Sequence, residues 1–230
     1  MSDRRSPGTA RRPRAHRPPS ARSSAAPRGQ RAAAAPPGRR SSAAPRGPRA
    51  RMFVALDLPA EARSALADWR DRLVDGRRDL RPVRAEALHV TLVFLGWQDE
   101  RAADAIASAA FDACAGLPAA RLRPADVRPL PPRDPRLFAL DLHDEDGRAV
   151  AVQAAISDAL EAGRWYRPEK RPFWPHLTLA RVKRGERRVP PLPDTPAAPA
   201  DPFEAGQITL YRSTLRPQGA IYEPLAQTTL

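Results

Sequence analysis

The chain has 230 residues, with 39 Lys and Arg against 26 Asp and Glu and a formal charge of +13. Its single cysteine, Cys114, excludes an internal disulfide and any zinc site built on cysteines. No apolar run is long enough to span a membrane, and no signal-peptide core is present, so the expectation is a cytoplasmic monomer with no membrane partner.

The charge is not spread evenly. Residues 1–51 hold 14 arginines, no lysine and one acid, Asp3, whereas residues 52–230 balance 25 basic against 25 acidic side chains. Residues 2–51 also lack Val, Ile, Leu, Phe, Trp and Tyr, so they have nothing to bury against the entropy of ordering. The expected organisation is therefore a disordered Arg/Ala/Pro-rich tail, 1–51, and one domain, 52–230. Three readings of the tail compete. It is an arm that binds RNA phosphates, an organellar targeting segment, or translated GC-rich sequence upstream of a true start at Met52. The Arg4-Arg5 and Arg11-Arg12 pairs lack the apolar stretch of a twin-arginine signal.

From Met52 the pattern predicts a strand to Leu58, then a helix from about Pro59 to Val74 with Ala62, Leu66, Trp69 and Leu73 on its apolar side. A strand follows at 87–95, closed by Gly96, then an Ala-rich helix at 99–115 that carries Cys114 as a small buried residue. Two strands are expected at 120–128 and 136–142 around a Pro-rich turn. A third helix is expected at 147–162, with Val150, Ala154, Ile156 and Leu160 facing the core. The last elements are strands at 176–182, 206–212 and 221–225, with a Pro-rich loop at 190–202 between the first two.

Two of these strands open alike, with His89-Val90-Thr91-Leu92 and His176-Leu177-Thr178-Leu179. Residues i and i+2 of a strand share a face. His89 and Thr91 therefore point one way, as do His176 and Thr178, while Val90, Leu92, Leu177 and Leu179 pack on the other side. The repetition implies an internal duplication, although the halves otherwise share little sequence. The expected fold is α+β and bilobal, with two pseudo-symmetric, mostly antiparallel sheets flanked by helices around a central cleft. The strands would bring two imidazoles and two hydroxyls to that cleft, a set suited to acid–base chemistry on a phosphate ester.

The segments 53–59, 88–96 and 171–181, together with Leu210 to Leu215 and Tyr222-Glu223-Pro224-Leu225, resemble the two-histidine phosphoesterases. More narrowly they are similar to the RNA 2′,3′-cyclic phosphodiesterases, first described as 2′-5′ RNA ligases. The resemblance runs from Met52 to about Leu225. It departs at Arg84-Ala85-Glu86-Ala87, which lacks the usual Pro or Asn, and at Trp174, where a smaller or polar residue is more common. It implies opening of terminal 2′,3′-cyclic phosphates on RNA, oligonucleotides or nucleotides to 2′-phosphomonoesters, without metal or cofactor.

On that reading His89 and His176 form the acid–base pair, their order unassigned, and Thr91 and Thr178 donate to the phosphate oxygens. The resemblance also places Arg181 near the substrate. Strict alternation would turn Arg181 away from His176, so it needs a bulge to reach the cleft, and otherwise makes a surface ion pair. Phe53 either stacks on a base or belongs to the core. A zinc site would need a third protein ligand beside the two histidines, and hydroxyls supply it poorly. His143 and His16 lack a threonine partner and read as surface residues. Rival functions are a phosphodiesterase or ligase acting on 2′-5′ linkages, and an RNA-binding protein that works through the basic tail.

Overall fold

The computed structural model describes residues 47–186, 189–192 and 197–230. The expected tail up to residue 46 lies outside them. Nine strands and three helices follow in chain order: β1 (Arg49–Asp57), α1 (Ala60–Leu73), β2 (Leu80–Pro82), β3 (His89–Asp99), α2 (Ala103–Cys114), β4 (Ala120–Leu130), β5 (Leu137–Asp144), α3 (Arg148–Ala162), β6 (His176–Val182), β7 (Phe203–Ala205), β8 (Gln207–Arg216) and β9 (Gly219–Thr229). Among the described residues no helix is long and apolar enough to cross a membrane.

The first described strand starts earlier than expected. β1 begins at Arg49, and Arg49, Ala50 and Arg51 pair with Asp99, Gln98 and Trp97. Backbone hydrogen bonding needs no apolar side chain, so composition alone places this boundary a few residues late.

Every strand pairing is antiparallel, and the sheet runs β7-β4-β5-β6-β3-β1-β8-β9, with β2 also on β6. The architecture is the expected α+β one, and its halves correspond. In one, β1 leads through α1 to β3, its antiparallel neighbour; in the other, β5 leads through α3 to β6 in the same relation. The two half-sheets are continuous rather than separate, because Val90 of β3 pairs with Leu177 of β6. That is the one registered partner pair between these strands, so the ladder gives way on either side of it and the sheet curls into a cleft.

The strand face opposite the cleft forms the core. Val90, Leu92, Leu177 and Leu179 are all buried there, as the alternation requires, together with Val54 and Leu56 of β1. Leu66, Trp69 and Leu73 of α1 join them, as do Ile106, Ala110 and Cys114 of α2. Each fully buried aliphatic side chain contributes on the order of 1.5–3 kcal/mol. In α3 the buried stripe is Ala149, Val152, Ile156 and Leu160, whereas Val150 and Ala154 are exposed. The sequence pattern mixes two adjacent faces of this Ala-rich helix, where several stripes have similar hydrophobicity.

Three further differences concern strands. The short β2 and β7 are additional to the expected elements, since three residues carry no readable period. The final hairpin is longer than expected, with β8 reaching Arg216 and β9 starting at Gly219, whose φ of 130° suits glycine at the turn. Its outer part leaves Leu215 and Ile221 exposed, so the cross-strand ladder rather than burial extends it.

Candidate active site

Each motif histidine opens its strand, and its ring is anchored by the chain just before it. His89 Nδ1 donates to the carbonyl of Ala87 at 2.9 Å, and His176 Nδ1 donates to that of Trp174 at 2.8 Å. A carbonyl only accepts, so Nδ1 of each ring carries a hydrogen, and in the neutral form of either ring the lone pair is at Nε2. The Thr91 hydroxyl donates to His89 Nε2 at 3.1 Å. Burial pushes the His89 pKa down to about 4, and the positive charges of Arg181 and His176 act in the same direction against the Ala87 hydrogen bond. His89 is therefore a neutral base at neutral pH in the ligand-free protein.

His89, Thr91, His176 and Thr178 line one cleft of about 310 Å³, and Arg181 lines it with them. The geometry behind Arg181 is a bulge. Thr178 pairs with Ala139 and Ala180 with Phe138, so Leu179 is an extra residue that returns Arg181 to the cleft side. The same irregularity occurs at the same place in β3. Thr91 pairs with Ala55 and Val93 with Val54, leaving Leu92 extra and bringing Phe94 to the cleft. Both motif strands thus bulge at the leucine of His-x-Thr-Leu, and the fifth residue after each histidine, Phe94 or Arg181, lines the cleft.

Arg181 makes no carboxylate pair among the described residues, so the alternative of a surface ion pair is not the arrangement seen. The same holds for Arg51, Arg81 and Arg216, which share the cleft wall. Arg51 lies over the Phe94 ring at 5.0 Å, and Arg81 donates to the Pro217 carbonyl at 3.0 Å. The latter bond ties the turn of the β8–β9 hairpin to β2 in the other half. Four guanidinium groups without a carboxylate partner among the described residues make this wall a receptor for several negative charges.

Phe53 also lines the cleft, from its floor. It is 3% exposed, with its ring stacked on His89 at 4.8 Å and on Tyr211 at 5.2 Å. Tyr222 stands edge-on to both Phe53 and His89, at 5.0 and 5.1 Å. On the other side Trp174 lies parallel to His176, with ring centroids 4.1 Å apart. Both imidazoles are therefore held from the side by an aromatic ring as well as through Nδ1. His143 is exposed near the end of β5 and is not among the residues that line the cleft. Among the described residues no group of three or more His, Cys, Asp or Glu is placed to hold a metal ion.

A second repeat, which the sequence reading missed, underlies the site. Ala55-Leu56-Asp57-Leu58 in β1 recurs as Ala139-Leu140-Asp141-Leu142 in β5, so the halves share more than the His-x-Thr motif. In the ladders Asp57 pairs with His89 and Asp141 with His176. Both carboxylates are buried. Asp57 accepts from the Thr209 hydroxyl at 2.6 Å and from the Tyr211 hydroxyl at 3.0 Å, and Gln227 donates to Thr209 at 3.2 Å. Burial raises the Asp57 pKa against those hydrogen bonds, and burial together with the Asp57 charge pushes Tyr211 up to about 12. Asp141 pairs with Arg128 of the neighbouring strand.

Residues 57–215, which include both His-x-Thr strands, match the model of the 2′-5′ RNA ligase superfamily. The chain belongs to this family. Within this two-histidine phosphoesterase family, it is 32% identical over 189 residues to the RNA 2′,3′-cyclic phosphodiesterase of Thermus thermophilus, covering 78% of this chain and 90% of that protein. It is 27% identical over 176 residues to the protein of the same name from Thermotoga maritima, covering 76% and 92%. Among solved structures, TT0787 of Thermus thermophilus superposes with a TM-score of 0.65 at 28% identity, covering 78% of this chain and 97% of that one. E. coli LigT complexed with 3′-AMP superposes at 0.61 with 27% identity, covering 80% and 99%.

Proposed function

We propose that the chain hydrolyses 2′,3′-cyclic phosphate ends of RNA or nucleotides to 2′-phosphomonoesters, without a metal ion, using His89 and His176 as its acid–base pair. The observation that carries this reading is the matched anchoring of the two rings. Each Nδ1 is spent on a backbone carbonyl two residues upstream, which leaves two Nε2 atoms for one cleft. The names of the relatives from Thermus thermophilus and Thermotoga maritima support the substrate class.

Opening the ring requires a proton taken from water on one side of phosphorus and a proton given to the departing 3′ oxygen on the other. Two imidazoles that present Nε2 to one phosphorus, one as base and one as acid, can do both. Thr91 and Thr178 donate hydroxyl hydrogens to the non-bridging oxygens as their charge grows. In the ligand-free cleft the Thr91 hydroxyl donates to His89 Nε2, so it must turn from the imidazole to the phosphate when substrate enters.

The test incubates the full chain with EDTA and a short RNA ending in a 2′,3′-cyclic phosphate. A 2′-phosphate end should form, and His89→Ala and His176→Ala should each lower turnover by about 10²–10⁴ while the fold survives. Thr91→Val and Thr178→Val should lower it by about 10²–10³. Turnover that persists in either histidine variant, or that EDTA abolishes, contradicts the two-histidine mechanism.

A further inference from the structure

The sheet face that holds Phe53 and Phe94 continues past the cleft, toward the start of β1. Phe94 pairs with Phe53, Gly96 with Met52 and Trp97 with Arg51, so Leu95 is an extra residue, and Gly96 takes a φ of 69°. Strict alternation would turn Trp97, three residues on, away from Phe94. The bulge returns it to the same side. Arg49 and Arg51 share that face with Phe53, as does Ser213 across from Arg51. Going away from His89, the face therefore reads Phe94, Arg51, Trp97, Arg49. The first two line the cleft and the last two lie beyond it.

Both rings of this row are open to solvent, Phe94 by 44% and Trp97 by 57%, and Leu215 of β8 is exposed on the cleft wall beside them. Grouped exposed apolar side chains mark an interaction surface, whereas single ones need no explanation. The cations are set among the rings. Arg51 lies over Phe94 at 5.0 Å, and the Arg49 guanidinium donates to the Trp97 carbonyl. The nearby acids have partners of their own. Asp99, across from Arg49, accepts from Arg101 at 3.1 and 2.9 Å, and Glu100 pairs with Arg212 at 3.4 Å. Rings alternating with guanidinium groups suit a single strand, whose bases each offer a π-face and whose backbone repeats a negative charge. What favours RNA over a protein surface is continuity, because the row runs unbroken into the cleft through Phe94 and Arg51.

We propose that Trp97, with Arg49 and Arg51, stacks a base upstream of the reacting end, and so makes RNA strands rather than free cyclic nucleotides the preferred substrate. The proposal rests on the reading of the cleft as the site of a cyclic phosphate end, and it chooses between the two substrate classes named there. With the phosphate at His89 and His176, the hairpin side of the cleft is bridged by the bond from Arg81 to the Pro217 carbonyl. The strand therefore leaves along β1 and β3, over Phe94 and then Trp97. A mononucleotide ends before it reaches Trp97, so this step adds affinity for oligonucleotides alone.

The test compares the full chain with its Trp97→Ala variant on adenosine 2′,3′-cyclic phosphate and on a triadenylate ending in a 2′,3′-cyclic phosphate. The wild type should favour the triadenylate in kcat/KM. Trp97→Ala should lower that value about tenfold, the scale of one lost base stack, through KM rather than kcat. Turnover of the mononucleotide and the melting midpoint should hardly change, since the Trp97 ring is exposed, and Trp97→Phe should keep most of the preference. Arg49→Gln should reduce the slope of log triadenylate affinity against log salt by about 0.7. Titration with a triadenylate ending in a 2′-phosphate reads the same step without turnover. An equal loss on both substrates, or none on either, overturns the proposal. So does a wild-type chain that self-associates through this face, with Trp97→Ala separating the copies while RNA binding is unchanged. Wild-type protein that turns over neither substrate refutes the hydrolytic reading, and the titrations then still decide the role of Trp97.

Discussion

Asp57 stands opposite His89 in the β1–β3 ladder, and the same relation recurs between Asp141 and His176 in β5–β6. Directly opposed residues of an antiparallel pair share a face. Each imidazole of the His-x-Thr motifs therefore has a buried carboxylate as its cross-strand neighbour, with no hydrogen bond between them among the described residues. Asp57 acts at one remove. It fixes the Tyr211 hydroxyl, whose ring stacks on Phe53, which in turn stacks on His89.

Removing that acceptor should be felt in both stability and catalysis. Asp57→Ala strands the fully buried Thr209 hydroxyl and releases Tyr211. Leaving buried donors unpaired costs about 1–3 kcal/mol, to be read as a lower midpoint in urea. Turnover should fall with substrate affinity nearly unchanged, because the ring stack loosens while the cleft wall stays. An unchanged midpoint would show that Asp57 holds nothing in place.

The depressed pKa of His89 predicts a pH dependence of stability. Its folded value of about 4 lies below the ordinary value of 6.5, so the unfolded chain binds more protons between those limits. This contribution to stability is complete above about pH 6.5 and is lost as pH falls toward 4. The shift sets an upper bound of about 3 kcal/mol, and the contribution is smaller because the ring is only half-buried and lines the open cleft. His89→Gln, which does not titrate, should flatten that part of the curve of unfolding free energy against pH. An identical slope in the variant would show that His89 is not the group responsible.

The four arginines of the cleft wall, without carboxylate partners among the described residues, predict salt-sensitive binding of oligonucleotides. Each phosphate contact to single-stranded nucleic acid contributes about 0.7 to the slope of log affinity against log salt. Arg181→Ala and Arg216→Ala should each weaken binding of a cyclic-phosphate RNA and reduce that slope by about this amount. An unaltered slope would place the phosphates elsewhere.

The start of β1 predicts the effect of shortening the chain. A chain beginning at Met52 loses Arg49, Ala50 and Arg51, and with them three registered pairs to β3 and the guanidinium over Phe94. It should melt lower and bind RNA more weakly than a chain beginning at Gly47. The Gly47 form should retain the turnover of the full protein if residues 1–46 take no part in the chemistry. Equal melting of the two shortened forms would show that the first residues of β1 contribute nothing to the fold.

Much of the site was legible because its signals are local. A histidine and a threonine two apart in a β-branched, apolar stretch must share a face, whatever the rest of the fold. The pair at 89 and 91 and the pair at 176 and 178 were therefore readable without coordinates. The need for a bulge before Arg181 followed from the same alternation. The Ala-Leu-Asp-Leu repeat was equally present in the sequence, and it went unread because one aspartate in an apolar strand looks like a strand end. The stripe of α3 was misplaced because an Ala-rich helix offers little contrast between its faces.

The three helices, the longer strands, the α+β class and the duplicated histidine strands are written in the local sequence, since period, breakers and repeats act over a few residues, whereas the three-residue β2 and β7 are not. Only the tertiary structure decided which strands become neighbours, because registers are set by packing across the whole sheet. That packing joined β3 to β6 through Val90 and Leu177 and set an aspartate opposite each histidine. It also brought Arg51, Arg81, Arg181 and Arg216, from four separate strands, to one wall.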